Sequence, residues 1–217
     1  TGKCLVMTTP DASRTMNTFL GITSSFSKVQ VDPDALRQSK YTYLEGYLVT
    51  SENGLEAMIH ARDLARENGV KTALTFSDPS MVKYFNDQMH RVTEGGLDML
   101  FCNEEEAMLY TETSNVHDAR EKLKQIATKF AITQGANGAM LWDGDTFIDI
   151  EPYPVKALDT NGAGDMFAGA FLYGITHGHS FIEAGKMASL ASSKVVSQYG
   201  PRLKKDQSRQ ILRHLFE

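Results

Sequence analysis

The sequence has little of what secreted, membrane-spanning or nucleic-acid-binding proteins require. Its two cysteines, Cys4 and Cys102, are too few for a disulfide framework. No apolar run approaches the roughly 20 residues that cross a bilayer, and the first residues show no signal-peptide pattern. A net charge of −5 argues against a surface built mainly for nucleic acid. These absences predict a globular, cytoplasmic protein with reduced thiols, in which Cys102 lies buried and unreactive in an apolar run.

The motifs of several enzyme classes are missing as well. A Rossmann dehydrogenase would need Gly-x-Gly-x-x-Gly after an early strand, and the sequence has no such segment. His177 and His179 flank a glycine but lack a third ligand at the spacing of a metal site, which disfavours a metal hydrolase. No serine or cysteine stands in a recognisable nucleophile motif.

Short apolar runs alternate with longer amphipathic segments along most of the chain. We predict strands at residues 3–8, 14–20, 41–49, 70–76, 97–102, 130–133, 139–142 and 146–150. We predict helices at residues 81–92, 104–111, 118–129, 163–177, 181–198 and 206–215, and one between the N-cap Ser51 and the stop signal Gly69. This alternation indicates an α/β fold with a mostly parallel sheet and helices on both faces. Ligands of such sheets bind at the carboxyl ends of the strands.

The most informative segment is Asp-Thr-Asn-Gly-Ala-Gly-Asp at residues 159–165, which leads into a predicted helix. Its glycines allow a tight turn, and the N–H groups at a helix start can bind an anion such as a phosphoryl group. Asp165 has two interpretations. It could simply favour the helix dipole, an effect of about 0.3–1 kcal/mol. It could also be a general base, which typically contributes about 10²–10⁴-fold to a rate.

Residues 159–165, with the helix behind them, resemble the carboxyl-side signature of the ribokinase-like (pfkB) carbohydrate and nucleoside kinases. The resemblance implies a ribokinase-like fold with a small β lid and an ATP-dependent activity. It implies that Asp165 is the base that deprotonates the acceptor hydroxyl. It also implies that Asp159 and the backbone of Asn161 help to hold a monovalent cation, often K⁺. The anion hole that it implies consists of Gly162, Ala163 and Gly164.

A second motif, Asn-x-x-Glu, follows the predicted strand at 97–102. Asn103 and Glu106 lie three residues apart at a helix start and share one face of it. Taken alone, the pair is typical of a capping box. Within the resemblance, Asn103 and Glu106 organise water around Mg²⁺, a metal that keeps several waters and few protein ligands.

Two further segments fit the family's nucleotide site. Residues 132–139 read as strand, glycine turn and strand, and within the resemblance they lie along the phosphates and ribose. The nucleotide contacts predicted there are Thr133, Gly135 and Gly138. Small residues in 184–199 could border the adenine or could simply allow close helix packing. Arg14 could close over the transferred phosphate or face solvent in a hairpin.

The resemblance begins in the middle of the family's sequences. We treat residues 1–217 as one kinase domain, with lid strands within residues 1–24, and expect the real polypeptide to be longer. The absent amino-side part would carry most acceptor contacts. The first prediction is an adenosine-like nucleoside as acceptor, with ribose- or fructose-type sugars as the alternative. A non-catalytic nucleotide-binding regulator is an alternative of another class. A homodimer formed through the lid is left open.

Overall fold

A computed structural model of the chain describes residues 1–10, 12 and 14–216. Its strands are β1 (Lys3–Thr8), β2 (Arg14–Phe19), β3 (Tyr41–Glu45), β4 (Lys71–Thr75), β5 (Met99–Asn103), β6 (Phe130–Thr133), β7 (Ala139–Trp142) and β8 (Phe147–Ile150). Its α-helices are α1 (Pro33–Arg37), α2 (Glu52–Glu67), α3 (Pro79–Tyr84), α4 (Asn86–Thr93), α5 (Glu104–Thr111), α6 (Val116–Leu123), α7 (Ala163–Thr176), α8 (Phe181–Val196) and α9 (Lys205–Phe216). Short 3-10 helices occupy Gly21–Ser25, Lys28–Gln30, Gly46–Thr50 and Gly135–Asn137.

The strands form two sheets. Strands β1 and β2 pair antiparallel, with Lys3 opposite Phe19 and Thr8 opposite Arg14, which confirms the predicted hairpin. The larger sheet has the order β3-β4-β5-β6-β7-β8, so its strands follow one another in chain order. The pairs β3–β4 and β4–β5 are parallel. The predicted α/β class, with a mostly parallel sheet, is confirmed.

The described residues divide into two compact units. The first unit comprises Thr1–Gly2, Leu20–Ile132 and Trp142–Thr146. The second unit comprises Lys3–Phe19, Thr133–Leu141 and Phe147–Glu217. The motif at 103–106 therefore belongs to the first unit, whereas the segment 159–165 and the loop at 133–138 belong to the second.

The core of the first unit is aliphatic around one aromatic stack. Leu55 and Met58 of α2 and Leu74 of β4 are almost completely buried, and each such side chain contributes about 1.5–3 kcal/mol on leaving water. Phe76 stacks on Tyr110 with ring centroids 4.8 Å apart. The buried positions of α2 recur at helical spacing, which explains why this face was visible in the sequence.

Helices α7 and α8 form the core of the second unit. Phe171 of α7 meets Phe181 edge-to-face at 4.8 Å between ring centroids. Gly174 lets the helices approach closely, because a Cβ atom there would lie 2.8 Å from the Cβ atom of Ala184. Helix α9 adds Ile211 to an apolar cluster that it forms with Met187, Leu190 and Ala191 of α8.

The local signals at helix and turn boundaries are largely confirmed. The Ser51 hydroxyl accepts a hydrogen bond from the N–H group of Gly54 at 3.1 Å and caps α2. Gly69, just beyond the end of α2, has φ +66°. In the turn between β7 and β8, Asp143 Oδ1 accepts from the N–H groups of Asp145 and Thr146 at 2.9 and 2.8 Å. These main-chain bonds, that from Thr146 first, lower the pKa of Asp143.

The strand predicted at 41–49 is wrong beyond Glu45. Residues 46–50 instead form a 3-10 helix. The apolar run continues through Val49, which is buried, so hydrophobicity alone did not reveal the change. A Cβ atom on Gly46 would overlap the carbonyl oxygen of Phe76. Glycine is therefore needed where the backbone turns close to the end of β4.

Two predicted helices also differ from the structure. The segment 81–92 is broken at Phe85, with φ −126° and ψ 38°, into α3 and α4. The helix predicted at 118–129 begins earlier, because Asn115 caps it through the N–H group of Asp118 at 2.9 Å, and it ends at Leu123. Val82 of α3 and Met89 and Val92 of α4 are all buried, so the apolar positions alone predicted one continuous helix.

The two thiols have different environments. Cys102 is buried, as predicted, and burial, followed by the charge of Glu106, raises the pKa of its thiol well above the usual value. Cys4 of β1 is exposed. Within the part of the chain that the structure describes, no helix is both long and apolar enough to traverse a lipid bilayer.

Candidate active site

Helix α7 of the second unit begins at a glycine that no other residue could easily replace. Gly162, the N-cap, has φ +76° and ψ 6°, in the left-handed region. A Cβ atom on Gly162 would lie 2.5 Å from Cβ of Pro201 and 2.8 Å from its carbonyl oxygen. Both the backbone angle and the closeness of Pro201 therefore require glycine.

The first turn of α7 has no capping side chain among the residues that the structure describes. The N–H group of Ala163 points back to the carbonyl oxygen of Thr160 at 3.3 Å. The N–H groups of Gly164 and Asp165 precede the first residue that can donate within the helix. The helix dipole adds positive potential at the same place. Such a turn can bind an anion, as a phosphoryl group would require.

The space outside this turn is open. Gly164 and Asp165 are both exposed. A Cβ atom built on Gly164 would have no described neighbour within 4 Å. Asp165 therefore stands in the same open turn as the N–H group of Gly164. A base in this position can accept a proton from a hydroxyl that attacks a phosphoryl group bound there.

Asp159 is buried, at 5% exposure, just before this turn. Its Oδ1 atom accepts a hydrogen bond from the N–H group of Asn161 at 2.9 Å. Its Oδ2 atom accepts one from the N–H group of Gly200, also at 2.9 Å. A carboxylate oxygen can accept more than one partner, so a monovalent cation fits here if it shares these oxygens with the two N–H groups.

The turn of the β1–β2 hairpin also contacts this segment. The Thr160 hydroxyl donates a hydrogen bond to the carbonyl oxygen of Ala12 at 3.1 Å. Ala12 is buried and has φ +65°. The Arg14 backbone lies in β2, but its side chain, for which a phosphate contact was predicted, lies outside the described part of the chain. Sequence reasoning missed the bond between Thr160 and Ala12, because its partners are far apart in the chain.

Small residues of α8 support the same region. Ala188 and Ala191 are buried, and Ser192 donates its hydroxyl hydrogen to the carbonyl oxygen of Ala163 at 3.0 Å. Ser189 donates to the carbonyl oxygen of Glu151 at 3.1 Å. These contacts favour the interpretation of close packing for this stretch of small residues, and they show how α8 supports the start of α7.

The loop at 133–138 turns through a 3-10 helix after β6. The N–H group of Gln134 donates to the carbonyl oxygen of Gly138 at 2.8 Å and closes the loop. Gly138 has φ +89°, and a Cβ atom there would overlap the carbonyl oxygen of Ile150, so this glycine is needed for the backbone itself. Gly135 has φ +57°, and a Cβ atom there would have no described neighbour within 4 Å. Of the predicted contacts in this loop, Thr133 ends β6 and Gly135 borders open space.

The motif at 103–106 forms a capping box in the first unit. Asn103 Oδ1 accepts from the N–H group of Glu106 at 2.8 Å, and Glu106 Oε2 accepts from that of Asn103 at 2.9 Å. Glu106 is buried, at 4% exposure. Among the described residues there is no group of three potential metal ligands. The donor set therefore fits Mg²⁺ only where water supplies most of the ligands.

The sequence matches the profile of the pfkB family carbohydrate kinases over residues 1–207. The chain belongs to the pfkB family. An adenosine kinase of Saccharomyces cerevisiae is 27% identical to it over 220 residues, which cover 93% of this chain and 62% of that kinase.

Solved structures confirm that this pfkB family chain has the ribokinase-like fold. An adenosine kinase from Sinorhizobium meliloti matches with a TM-score of 0.94 and 31% identity, over 99% of this chain and 66% of that one. A candidate ribokinase II from Escherichia coli, solved with ATP and Mg²⁺, matches with a TM-score of 0.86 and 20% identity, over 98% of this chain and 71% of that one. The chain thus spans 62% and 66% of the two adenosine kinases.

The environment of Gly162 gives a direct test of this site's packing. We expect Gly162→Ala to lower the free energy of unfolding by about 2–4 kcal/mol, because the new methyl group strains the backbone and overlaps Pro201. Urea denaturation measures this change. Gly169→Ala, in the open middle of the same helix, is the matched control and should stabilise by about 0.5–1 kcal/mol. Equal stability of the two variants would contradict the close approach of Pro201.

Proposed function

We propose that the protein transfers the γ-phosphoryl group of ATP to a primary hydroxyl of a small molecule. The observation that carries this proposal is the open first turn of α7, in which exposed Asp165 stands beside N–H groups that no described side chain caps. An anion site alone would serve any nucleotide-binding protein. A carboxylate in the same turn adds the group that a hydroxyl needs when it attacks phosphorus.

In the proposed reaction, Asp165 takes the proton of the acceptor hydroxyl. The acceptor oxygen forms a bond to the γ-phosphorus, the bond from that phosphorus to the bridging oxygen breaks, and ADP leaves. The negative charge on the transferred group is stabilised by the turn at Gly162, Ala163 and Gly164 and by the N–H group of Asp165. The chain's contribution is therefore positioning and electrostatics, with no covalent intermediate on the protein.

Two kinds of cation belong to the proposal. Mg²⁺ would neutralise charge on the phosphates, and Asn103 and Glu106 would hold it through water. A monovalent cation such as K⁺ would share the Asp159 carboxylate and lie near the backbone of Asn161. We also propose that Thr133 and Gly135 contact the nucleotide phosphates or ribose. At position 138, the backbone conformation and the nearby carbonyl oxygen of Ile150 already require glycine.

An adenosine-like nucleoside is the acceptor that we favour, since the adenosine kinases of Saccharomyces cerevisiae and Sinorhizobium meliloti are 27% and 31% identical to this chain. A sugar is the alternative, which the family description supports. A regulator that binds nucleotide without turnover is a different class, and the exposed Asp165 in the anion-binding turn argues against it, because binding requires only the N–H groups.

Coupled ADP release with a panel of nucleosides and sugars separates these possibilities. We expect adenosine to support ATP-dependent release and 5′-deoxyadenosine, which lacks the primary hydroxyl, to support none. Ribose and fructose test the sugar alternative in the same assay. ATP binding without ADP release from any acceptor would favour the regulator and contradict the proposed transfer.

Asp165→Asn tests the proposed base. We expect kcat to fall by about 10²–10⁴-fold, because the amide cannot accept the proton, while ATP binding measured by calorimetry changes little. Asp206→Asn is the matched control, since Asp206 is also an exposed acid in the first turn of a helix of the second unit. An equal effect of the two substitutions would mean that Asp165 acts only on the helix dipole.

Gly164→Ala tests the open space in front of the helix. The new methyl group meets no described atom, so the fold should tolerate it, but it would project where the phosphoryl group is proposed to lie. We expect kcat/KM for ATP to fall by about tenfold or more, because small displacements of reacting groups are costly. Gly169→Ala is again the control and should leave the steady-state kinetics unchanged. Unaltered kinetics in Gly164→Ala would contradict the proposal that the phosphoryl group binds at this turn.

A further inference from the structure

The carboxylate of Asp159 joins two segments of the second unit that lie far apart in the chain. One oxygen accepts from the N–H group of Asn161, two residues ahead, and the other from that of Gly200, 41 residues away. The carbonyl oxygen of Val196 also accepts from the N–H groups of Leu158 and Asp159, at 2.7 and 3.3 Å. The segment that carries the signature is thus tied to the end of α8 and to the loop after it.

Because Asp159 is buried, its carboxylate requires hydrogen-bond partners. Asp159 is 5% exposed, and a buried carboxylate is stable only when its oxygens have partners. Both partners here are main-chain N–H groups, whose positions are set by the fold and not by a flexible side chain. Bonds of this charged kind are shorter and stronger than those between neutral groups.

The link lies next to the proposed reacting groups. Asn161, held by Oδ1, immediately precedes Gly162, the N-cap of α7. Gly200, held by Oδ2, immediately precedes Pro201, whose Cβ atom lies 2.5 Å from a Cβ atom built on Gly162. The Asp159 carboxylate therefore holds the residue before Gly162 and the residue before Pro201 by hydrogen bonds, and so fixes both partners of this contact. A displacement of one side would shift the direction of the first N–H groups of α7.

We propose that Asp159 is a positioning residue, which acts through its bonds to Asn161 and Gly200 to fix the anion-binding turn of α7. The inference rests on the proposed phosphoryl transfer. It differs from the cation role of Asp159, because the carboxylate would orient the turn by direct hydrogen bonds. Reacting groups displaced by about 1 Å can lose about 10²-fold in rate, so loss of one bond should affect chemistry more than nucleotide binding.

Asp159→Asn is the first test, because Asn keeps the size of the side chain but replaces one acceptor oxygen with an N–H donor. We expect kcat to fall by about 10–100-fold with KM for ATP changed by less than about threefold. Asp149→Asn, an exposed acid of β8 in the same unit, is the control and should leave kcat unchanged. A merely structural role would lower the melting temperature and leave the kcat of the folded fraction intact, which would overturn the proposal.

Amide hydrogen exchange, resolved by NMR, tests the link without any substrate. In the unsubstituted protein the N–H groups of Asn161 and Gly200 should exchange slowly, and in Asp159→Asn one of them should exchange at least about tenfold faster. Fast exchange of both in the unsubstituted protein would overturn the link even if Asp159→Asn does not fold. If the protein shows slow exchange but no ADP release with any acceptor, the proposed function fails while the link stands.

The cation dependence separates the two roles of Asp159. We expect the kcat of Asp159→Asn to stay low when K⁺ replaces Na⁺ at constant ionic strength, because a cation cannot restore a missing acceptor. Recovery of kcat at high K⁺ would show that the carboxylate acts by holding the cation, and would overturn the positioning role.

Discussion

The rest of the site depends on one constraint at the start of α7. Among the described residues, no side chain caps the first turn of this helix. The N–H groups at the start of α7 can bind an anion only while no side chain accepts their hydrogens, and Gly162, the N-cap, has no side chain that could do so. Because such a turn does not hold itself in place through a cap, other contacts have to fix it. Those contacts come from Asp159, from Ser192 and from the close approach of Pro201.

The packing around the site supports these contacts. Helices α7 and α8 meet through small side chains and an aromatic cluster, so the first turn of α7 rests on a tightly packed base. The polar bonds to the turn then come from Ser192 of α8 and from Asp159, just before α7. A ligand site supported in this way needs few side chains of its own, since the main chain supplies the donors.

The sequence predicted what is encoded locally. The caps at Ser51 and Asn103, the turn at Asp143 and the antiparallel hairpin all depend on residues a few positions apart, and the structure contains each of them. The glycines of the signature indicated a turn before a helix for the same reason. The assignment of that turn to phosphoryl transfer needed the family resemblance, because Asp165 alone fits a favourable helix dipole equally well.

Long-range main-chain contacts were beyond the reach of sequence patterns. Nothing in the local sequence indicates that Gly46 approaches the carbonyl of Phe76, so the strand was extended too far. The bond between Asp159 and Gly200 joins residues 41 positions apart and was likewise invisible. A hydrophobic pattern indicates which side chains prefer burial, but it does not indicate which backbone atoms come into contact across the fold.

The groups that anchor the signature have an evolutionary consequence. Thr160 and Ser192 donate to main-chain carbonyl oxygens, and Asp159 accepts from main-chain N–H groups. The residues that supply those backbone atoms can change identity without loss of the bond, provided that their conformation is kept. Their substitutions would therefore leave no covariation with residues 159–165, and the hairpin turn in particular could diverge while the first turn of α7 stays the same.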